Sequence, residues 1–265
     1  MKKLLVTLLA VLMCLSLAAC GKKEETVKTD SEYVKANGKL VVGITDFAPM
    51  DYQDGNGEWI GFDADMGKAF AKELGVDVEF VEIDWDNKIM ELNSKSIDCI
   101  WNGMTLTDEV KSSTATSNPY SNNSQVIVVK KENAEKFKDA DGLAGYLVAV
   151  EAGSAGQEVF EETGVAAKEV IYKDTQANAL LEVASGTVDA CIIDYAMAAA
   201  MTGEGTSYAD LVSTASLNSE LYGVAFRTGS DLADKLNDFF KKTYADGTMM
   251  TIATTYGIEN TIIAQ

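Results

Sequence analysis

The sequence carries one pattern twice, and this duplication constrains the possible folds more than any other feature. Residues 90–100 (MELNSKSIDCI) align with residues 181–192 (LEVASGTVDACI), and each segment runs from the end of a helix through a polar turn and an acid into a buried strand. We therefore expect the chain to build a similar unit twice. The alignment alone is only suggestive, because every α/β protein repeats helix, turn and strand.

Strands and helices alternate along the first half of the chain. Apolar runs typical of buried strands occupy residues 39–44 and 97–101, and residues 76–83 alternate as a strand does. Apolar positions at helical spacing predict helices over residues 62–74 and 86–94. This order favours α/β layering around a largely parallel sheet.

Two extended runs, residues 124–130 and 221–227, bracket the second unit. The sequence between them is therefore predicted to form a lobe inserted into the first, with the two crossing strands as a hinge. A cleft between two lobes is a common place for a small ligand, and closure around that ligand is the expected motion.

The N-terminal segment has the pattern of a secretory leader. Lys2 and Lys3 precede an apolar run over residues 4–17, which is too short to span a bilayer comfortably, and residues 17–20 (LAAC) supply the small residues of a cleavage site. That tetrapeptide resembles the lipobox of bacterial lipoproteins, which implies a mature chain that begins at an acylated, palmitate-bearing Cys20. The alternative is an ordinary signal peptide with a chance cysteine.

Composition excludes several classes of function. The 265 residues, of which 47% are apolar, suit one large domain or two lobes, and a net charge of −19 would repel nucleic acid. The absence of histidine removes His-assisted nucleophiles and His-containing zinc sites. Cys99 and Cys191 lie in apolar runs and are predicted to be buried small hydrophobic residues. No catalytic residue, metal or cofactor is predicted.

Short motifs are spread in order over nearly the whole predicted mature chain. They are VGITDFAP at 42–49, GFDADM at 61–66, SID at 96–98, MTLTDE at 104–109, NPY at 118–120, GS at 153–154 and GTVD at 186–189. Together they resemble the bacterial extracellular solute-binding proteins of family 3, the amino-acid-binding lipoproteins of ABC importers.

The resemblance implies a fold and a division of the chain. The fold class is α/β, a two-lobed periplasmic-binding-protein type II fold with the second lobe inserted into the first through a two-strand hinge. The division implied is a lipoprotein signal peptide at 1–20, a flexible tether at 21–35, lobe 1 at 36–125 and 225–265, and lobe 2 with the hinge strands at 126–224. The tether reading agrees with the absence of an apolar period after Cys20.

The resemblance also implies which residues contact the ligand. Phe47 and Trp85 match the aromatic positions that sandwich the ligand side chain, and Asp194 matches the acid that takes the α-ammonium group. Ordinary core packing is the alternative for the two aromatic residues. For Asp194 the alternative is a capping or solvated acid.

A second group of positions matches the segments that hold the ligand carboxylate, namely Asn102, Gly103 and Thr105 in one lobe and the facing loop of Ser154 and Ala155 in the other. A loop with glycine and serine before a helix offers free N–H groups and the positive end of the helix dipole to an anion. A plain helix N-cap at Ser154 is the alternative.

One departure from the family pattern bears on the ligand. The family places an arginine that grips the carboxylate where this chain has Val110, and neighbouring Lys111 is expected to face another way. The chain has a single arginine, Arg227, and the resemblance places it beyond the second hinge strand rather than in the cleft. Either N–H groups and a lysine hold the carboxylate, or the ligand has none.

Two ligand classes therefore stay open, an amino acid or derivative, and an amine or other cation held by Asp194 with Tyr52 and Trp101 as further aromatic faces. The expected protein is an extracytoplasmic, membrane-anchored monomer that delivers its ligand to an ABC permease. A sensor lobe is an alternative. An enzyme of the cyclohexadienyl dehydratase type would need a cleft carboxylic acid as general acid and positively charged partners for the carboxylates of its substrate. The missing arginines disfavour it.

Overall fold

The computed structural model describes residues 29–265. The predicted signal peptide and Cys20 lie outside the described residues, as does the first part of the predicted tether. The described strands are β1 (Lys39–Ile44), β2 (Tyr52–Gln53), β3 (Trp59–Ile60), β4 (Asp77–Glu82), β5 (Cys99–Thr105), β6 (Ala115–Thr116), β7 (Ser121–Asn123), β8 (Gln125–Lys130), β9 (Leu147–Glu151), β10 (Glu169–Lys173), β11 (Ala190–Asp194), β12 (Leu211–Ser216) and β13 (Glu220–Phe226).

The helices connect these strands. The described α-helices are α1 (Asp30–Asn37), α2 (Phe62–Leu74), α3 (Lys88–Ser94), α4 (Asp108–Ser113), α5 (Ala155–Thr163), α6 (Gln176–Ser185), α7 (Tyr195–Met201), α8 (Leu232–Ala245) and α9 (Thr248–Thr255), with 3₁₀ turns at Trp85–Asn87, Lys131–Lys136 and Ala140–Leu143. The segment between β12 and β13 carries no helix. No described helix combines the length and the apolar character that crossing a membrane requires.

Two sheets form two lobes. The first has the order β4-β1-β5-β13-β6, with β7 also paired to β13, and the second has the order β10-β9-β11-β8-β12. Strands β1, β4 and β5 run parallel, and so do β9, β10 and β11. The second sheet is inserted between β7 and β13 of the first, which confirms the α/β two-lobed fold with an inserted second lobe.

The chain crosses between the sheets at residue 124 and at residues 217–219. Lobe 1 therefore comprises residues 29–123 and 220–265, and lobe 2 comprises residues 125–216. The predicted boundaries are wrong at two places, because Gln125 begins β8 of lobe 2 and Glu220–Phe226 is a single strand of lobe 1. That strand pairs with β5, β6 and β7 along its length, so none of it can belong to the second sheet.

The end of the predicted tether is folded. Helix α1 begins at Asp30, and Thr29 and Glu32 form a capping box in which each side chain accepts from the backbone N–H of the other. Asp30 also pairs with Arg227, and the backbone N–H of Ser31 donates to Asp231 at 2.9 Å. The prediction of a flexible tether is therefore wrong for residues 30–35, because these long-range contacts hold a polar segment that has no apolar period of its own.

The duplicated pattern is confirmed in structural detail. Asp98 accepts a hydrogen bond from the backbone N–H of Val41 at 3.0 Å, and Asp189 accepts one from the N–H of Leu147 at 2.9 Å. Each acid thus stands before one central strand of its sheet and holds the neighbouring parallel strand. Cys99 and Cys191, which follow these acids, are free and buried as predicted.

Candidate functional site

A cavity of about 200 Å³ lies between the two lobes. Lobe 1 contributes the end of β5, the turn and helix over residues 85–88, and the start of α4. Lobe 2 contributes the end of β9, the start of α5 and the end of β11. Loops after the carboxyl ends of parallel strands converge here, which is where ligands bind in open α/β sheets.

Most of the predicted site residues are brought together in this cleft. Those that line it are Phe47, Trp85, Asn102, Gly103, Thr105, Ser154, Ala155 and Asp194. Their contacts with a ligand remain predictions.

Tyr52 is not brought into the cleft. The short β2–β3 hairpin carries it to a separate depression shared with Trp59, where its ring meets that of Tyr256 edge-on at 6.4 Å. Trp101 is also elsewhere, because its fully buried ring packs against Phe70 and Phe240 in the lobe 1 core. The prediction that these two residues offer aromatic faces to a ligand in the cleft is therefore corrected, because neither lines it.

The floor of the cleft depends on a glycine. A Cβ at position 103 would lie 2.5 Å from Cε1 of Phe47, and the φ of Gly103 is +53°. Only glycine combines that backbone conformation with such a close approach. Phe47 thereby lies against the strand end and meets the ring of Tyr222 edge-on at 6.4 Å.

The predicted carboxylate donors of lobe 1 are engaged within the protein. The side chain of Asn102 hydrogen-bonds Thr45 and donates to Asp51 at 2.8 Å. The N–H of Gly103 donates to Asp63 at 2.6 Å, and the hydroxyl of Thr105 donates to Glu220 at 2.9 Å. These residues therefore shape the wall, and their donors would have to exchange partners to bind an anion.

The facing loop of lobe 2 keeps free donors. Ser154 is the N-cap of α5: its hydroxyl accepts from the N–H of Gln157 at 3.2 Å and donates to the carbonyl of Glu151 at 2.8 Å. The N–H groups of Ala155 and Gly156 belong to the first turn and have no partner within the helix. They can serve an anion in the cleft.

Asp194 ties the lobes together near the hinge. Four side-chain donors reach its carboxylate, namely Tyr222, Gln125 and Asn123 at Oδ1 and Gln176 at Oδ2. Burial, with a further contribution from the charge of Glu220, raises the pKa of Asp194 to about 8, against these hydrogen bonds. Because Oδ2 has a single donor, it can still accept from an ammonium group.

Sequence reasoning missed the two buried charged residues that line the cleft beside Asp194. Lys88 lies one helical turn after Trp85, and its Nζ donates to the carbonyl of Gly153 in lobe 2 at 2.8 Å. Glu151 ends β9, is 2% exposed, and its Oε1 has no hydrogen-bond partner among the described residues. The spacing Trp85 to Lys88 and the place of Glu151 at a strand end were the available signals.

Burial shifts the pKa of both Lys88 and Glu151. It lowers the pKa of Lys88, although the charges of Glu109 and Glu151 act in the other direction. Burial, reinforced by the charge of Asp194, raises the pKa of Glu151 to about 8. A positive group that entered the cleft would stabilise the ionised form of both acids.

Val110 lies in the wall, as the alignment with the family pattern implies. It is 1% exposed and belongs to an apolar cluster with Trp85 and Met104. Lys111 is exposed and does not line the cleft, whereas Arg227 is held by Asp30 and Asp98 in lobe 1. No arginine therefore reaches the cleft from the part of the chain that the structure describes.

A cleft between two lobes, with polar groups from both, defines a binding protein that holds a small polar solute. Residues 40–259 match the family model for bacterial extracellular solute-binding proteins, family 3. This match covers most of the chain, and the chain belongs to that family.

Individual relatives agree with this assignment. The chain is 30% identical over 257 residues to the arginine-binding extracellular protein ArtP of Bacillus subtilis, covering 93% of this chain and 94% of the relative. It is 30% identical over 222 residues to the L-cystine-binding protein TcyJ of Escherichia coli K12, covering 83% of each.

A solved structure extends the likeness. The chain is similar to the ancestral amino acid-binding protein AncCDT-1, a precursor of cyclohexadienyl dehydratase, with 34% identity and a TM-score of 0.77 over 86% of this chain and 99% of that one.

Proposed function

We propose that the cleft binds an amino acid or a close derivative and that the protein delivers it to the permease of an ABC importer. The observation that carries this proposal is the pair of buried acids, Glu151 and Asp194, each of which lines the cleft with an oxygen that can accept from a ligand. An α-ammonium group is the matching cation.

The charge of the lining favours a ligand with a positive group. The acids are Glu109, Glu151, Glu158, Glu161 and Asp194, and Lys88 is the basic residue among the described lining residues. The similarity to ArtP, an arginine-binding protein, and to TcyJ, an L-cystine-binding protein, supports an amino acid as the ligand. Phe47 and Trp85 offer apolar faces for the side chain of that ligand.

A thermal-shift screen tests the proposal. The purified protein is melted with each L-amino acid and with the amine made from it by decarboxylation, because a ligand that binds only the native state raises the melting temperature. We expect an upward shift with one or a few amino acids. The absence of a shift with every amino acid would contradict the proposal.

Val110 favours a second candidate, an amine that has no carboxylate. A buried apolar side chain at the family's arginine position removes a bidentate partner for a carboxylate. Shifts with amines alone would support this candidate over the first.

We propose binding without chemistry. The ligand should be recovered unchanged after long incubation, as checked by NMR, and formation of a dehydrated or decarboxylated product would contradict this. Transport and sensing use the same cleft, so uptake of labelled ligand by cells that lack the gene separates the two.

We further propose that Cys20 is acylated and anchors a monomer outside the cytoplasm. Residues 1–28 lie outside the described part, so this proposal rests on the LAAC motif and on the extracellular family. Labelled palmitate should be incorporated by the native protein and not by Cys20→Ser, which should appear in the soluble fraction. Light scattering of that soluble variant tests the monomer.

A further inference from the structure

Lys88 lies where the two lobes meet. It begins α3 of lobe 1, is 6% exposed, and is the basic residue among the described residues that line the cleft. Its Nζ lies over the ring of Trp85 at 5.2 Å from the ring centre and donates across the cleft to the carbonyl of Gly153. Burial of an ammonium group in a ligand cleft destabilises the protein unless the group is hydrogen-bonded and pairs with an anion.

The charge of Lys88 is anchored but not neutralised. Its Nζ donates to two carbonyl oxygens, those of Gly153 at 2.8 Å and Trp85 at 3.3 Å, and an ammonium has three hydrogens to donate. None of the ion pairs among the described residues includes Lys88. One donor of this ammonium therefore remains for a ligand, and no carboxylate among the described residues forms an ion pair with it.

A second positive pole lies beside this ammonium. Gly153, which accepts from Lys88, stands two residues before Ala155, the first residue of the nine-residue helix α5. The N–H groups of Ala155 and Gly156 have no partner within that helix, and the helix dipole makes its N-terminus attractive to anions. Two positive poles adjoin in a cleft that is otherwise acidic.

We propose that Lys88 replaces the missing arginine: its ammonium, together with the N–H groups at the start of α5, binds the ligand carboxylate and so selects amino acids over amines. This inference rests on the proposed function. Because Lys88 belongs to lobe 1 and α5 to lobe 2, the carboxylate would also bridge the lobes and stabilise their closed arrangement.

Calorimetry with matched ligand pairs tests this assignment. The pairs are arginine with agmatine, lysine with cadaverine and histidine with histamine, together with any amino acid from the screen and its decarboxylated amine. We expect the native protein to prefer the amino acid by about 30-fold or more, the effect of one buried charge pair. In Lys88→Met, which keeps the length of the stem, that preference should largely disappear because the amine keeps its affinity.

Two controls separate this role from others. Lys111→Met removes an exposed lysine next to Val110 and should leave the preference unchanged. Adding Val110→Arg to Lys88→Met moves the cation to the family's position and should restore the preference. If that double variant does not fold, as judged by its circular dichroism, Lys88→Gln provides a second test of the loss.

Equal weakening of amino acid and amine in Lys88→Met would overturn the proposal, because it would make Lys88 only a latch between the lobes. An unchanged preference would overturn it as well. Binding of amines alone by the native protein would refute both this inference and the amino acid as ligand. Failure of the inference alone is recognised when the native protein binds an amino acid but Lys88→Met keeps the preference.

Discussion

The two copies of the repeated unit use the same local structure and differ in what surrounds it. In lobe 1, Lys95 caps the C-terminus of α3 and Asp98 precedes β5; in lobe 2, Gly186 caps the C-terminus of α6 and Asp189 precedes β11. Asp98 has an additional partner, the guanidinium of Arg227 at 3.0 Å. The two copies therefore share the same backbone arrangement, and only the lobe 1 copy has an additional long-range ion pair.

The copies differ most at the strand ends that face the cleft. In lobe 1, β5 ends in the uncharged residues Asn102, Gly103 and Thr105, beside the aromatic rings of the wall. In lobe 2, β9 and β11 end in Glu151 and Asp194. The duplicated scaffold thus places uncharged strand ends in lobe 1 opposite acidic strand ends in lobe 2.

The largest effect should come from breaking the contact that lobe 1 alone has. Arg227→Met leaves Asp30 and Asp98 without their cation, and removal of one member of a buried ion pair costs about 3–5 kcal/mol. The measurement is urea unfolding. The matched lobe 2 variant, Lys173→Met, removes a more exposed pair with Glu182 and should cost about 1 kcal/mol or less. Equal costs would refute the difference between the lobes.

Asp194→Asn should remove the acidic character of the lobe 2 wall at its centre. Loss of a charged partner for an ammonium ligand should weaken binding by about 2–5 kcal/mol, measured by calorimetry. Asparagine is preferred to alanine, because alanine would leave the donors of Gln176 and Tyr222 unpaired and would destabilise the protein as well. Unchanged affinity in a folded variant would show that Asp194 only supports the hinge.

The pH dependence of stability tests the acidic character of the lobe 2 side of the cleft through Glu151. Its pKa is raised to about 8 in the native state, so the native protein holds a proton that the unfolded chain releases at lower pH. The contribution of Glu151 to the free energy of unfolding is fully present below about pH 4 and is lost as the pH rises toward 8. The free energy of unfolding falls by up to about 1.4 kcal/mol per pH unit over this range. Glu151→Gln should flatten the curve of the ligand-free protein. An identical slope in both proteins would contradict the assignment.

The smallest effects should separate the two helix ends. The residues that cap the two helices both have a left-handed backbone conformation, with φ of 67° at Lys95 and 80° at Gly186. Gly186→Ala should cost about 1 kcal/mol because a side chain there is strained. Lys95→Gly relieves such strain but loses the contact of Nζ with the ring of Tyr33 at 4.7 Å, so we expect a net change below about 0.5 kcal/mol. Thermal melting measures both, and a large loss in Lys95→Gly would make the Tyr33 contact dominant.

Much of the fold follows from local pattern. The predicted strand over 39–44 and the predicted helix over 62–74 agree with β1 and α2, because apolar spacing and glycine helix ends are properties of short segments. The hinge positions are less well predicted. The apolar run after residue 220 does not show which sheet its strand joins, since pairing partners are distant in the sequence.

The candidate site divides in the same way. Positions matched to the family, such as Phe47, Trp85 and Asp194, do line the cleft, whereas Tyr52 does not, because the hairpin that carries it lies at a separate depression. Lys88 and Glu151 have no distinctive motif. Their relevance appears only when the two lobes are placed together.

The sequence by itself therefore determined the alternation of elements, the duplicated unit, the family and the absence of an arginine at the cleft position. The tertiary structure decided which polar groups are already engaged, which lobe each hinge strand joins, and that a lysine lies beside the start of α5. The physical reason is that spacing and propensity act over a few residues. Burial, charge pairing and free donors depend on groups that only the folded chain brings together.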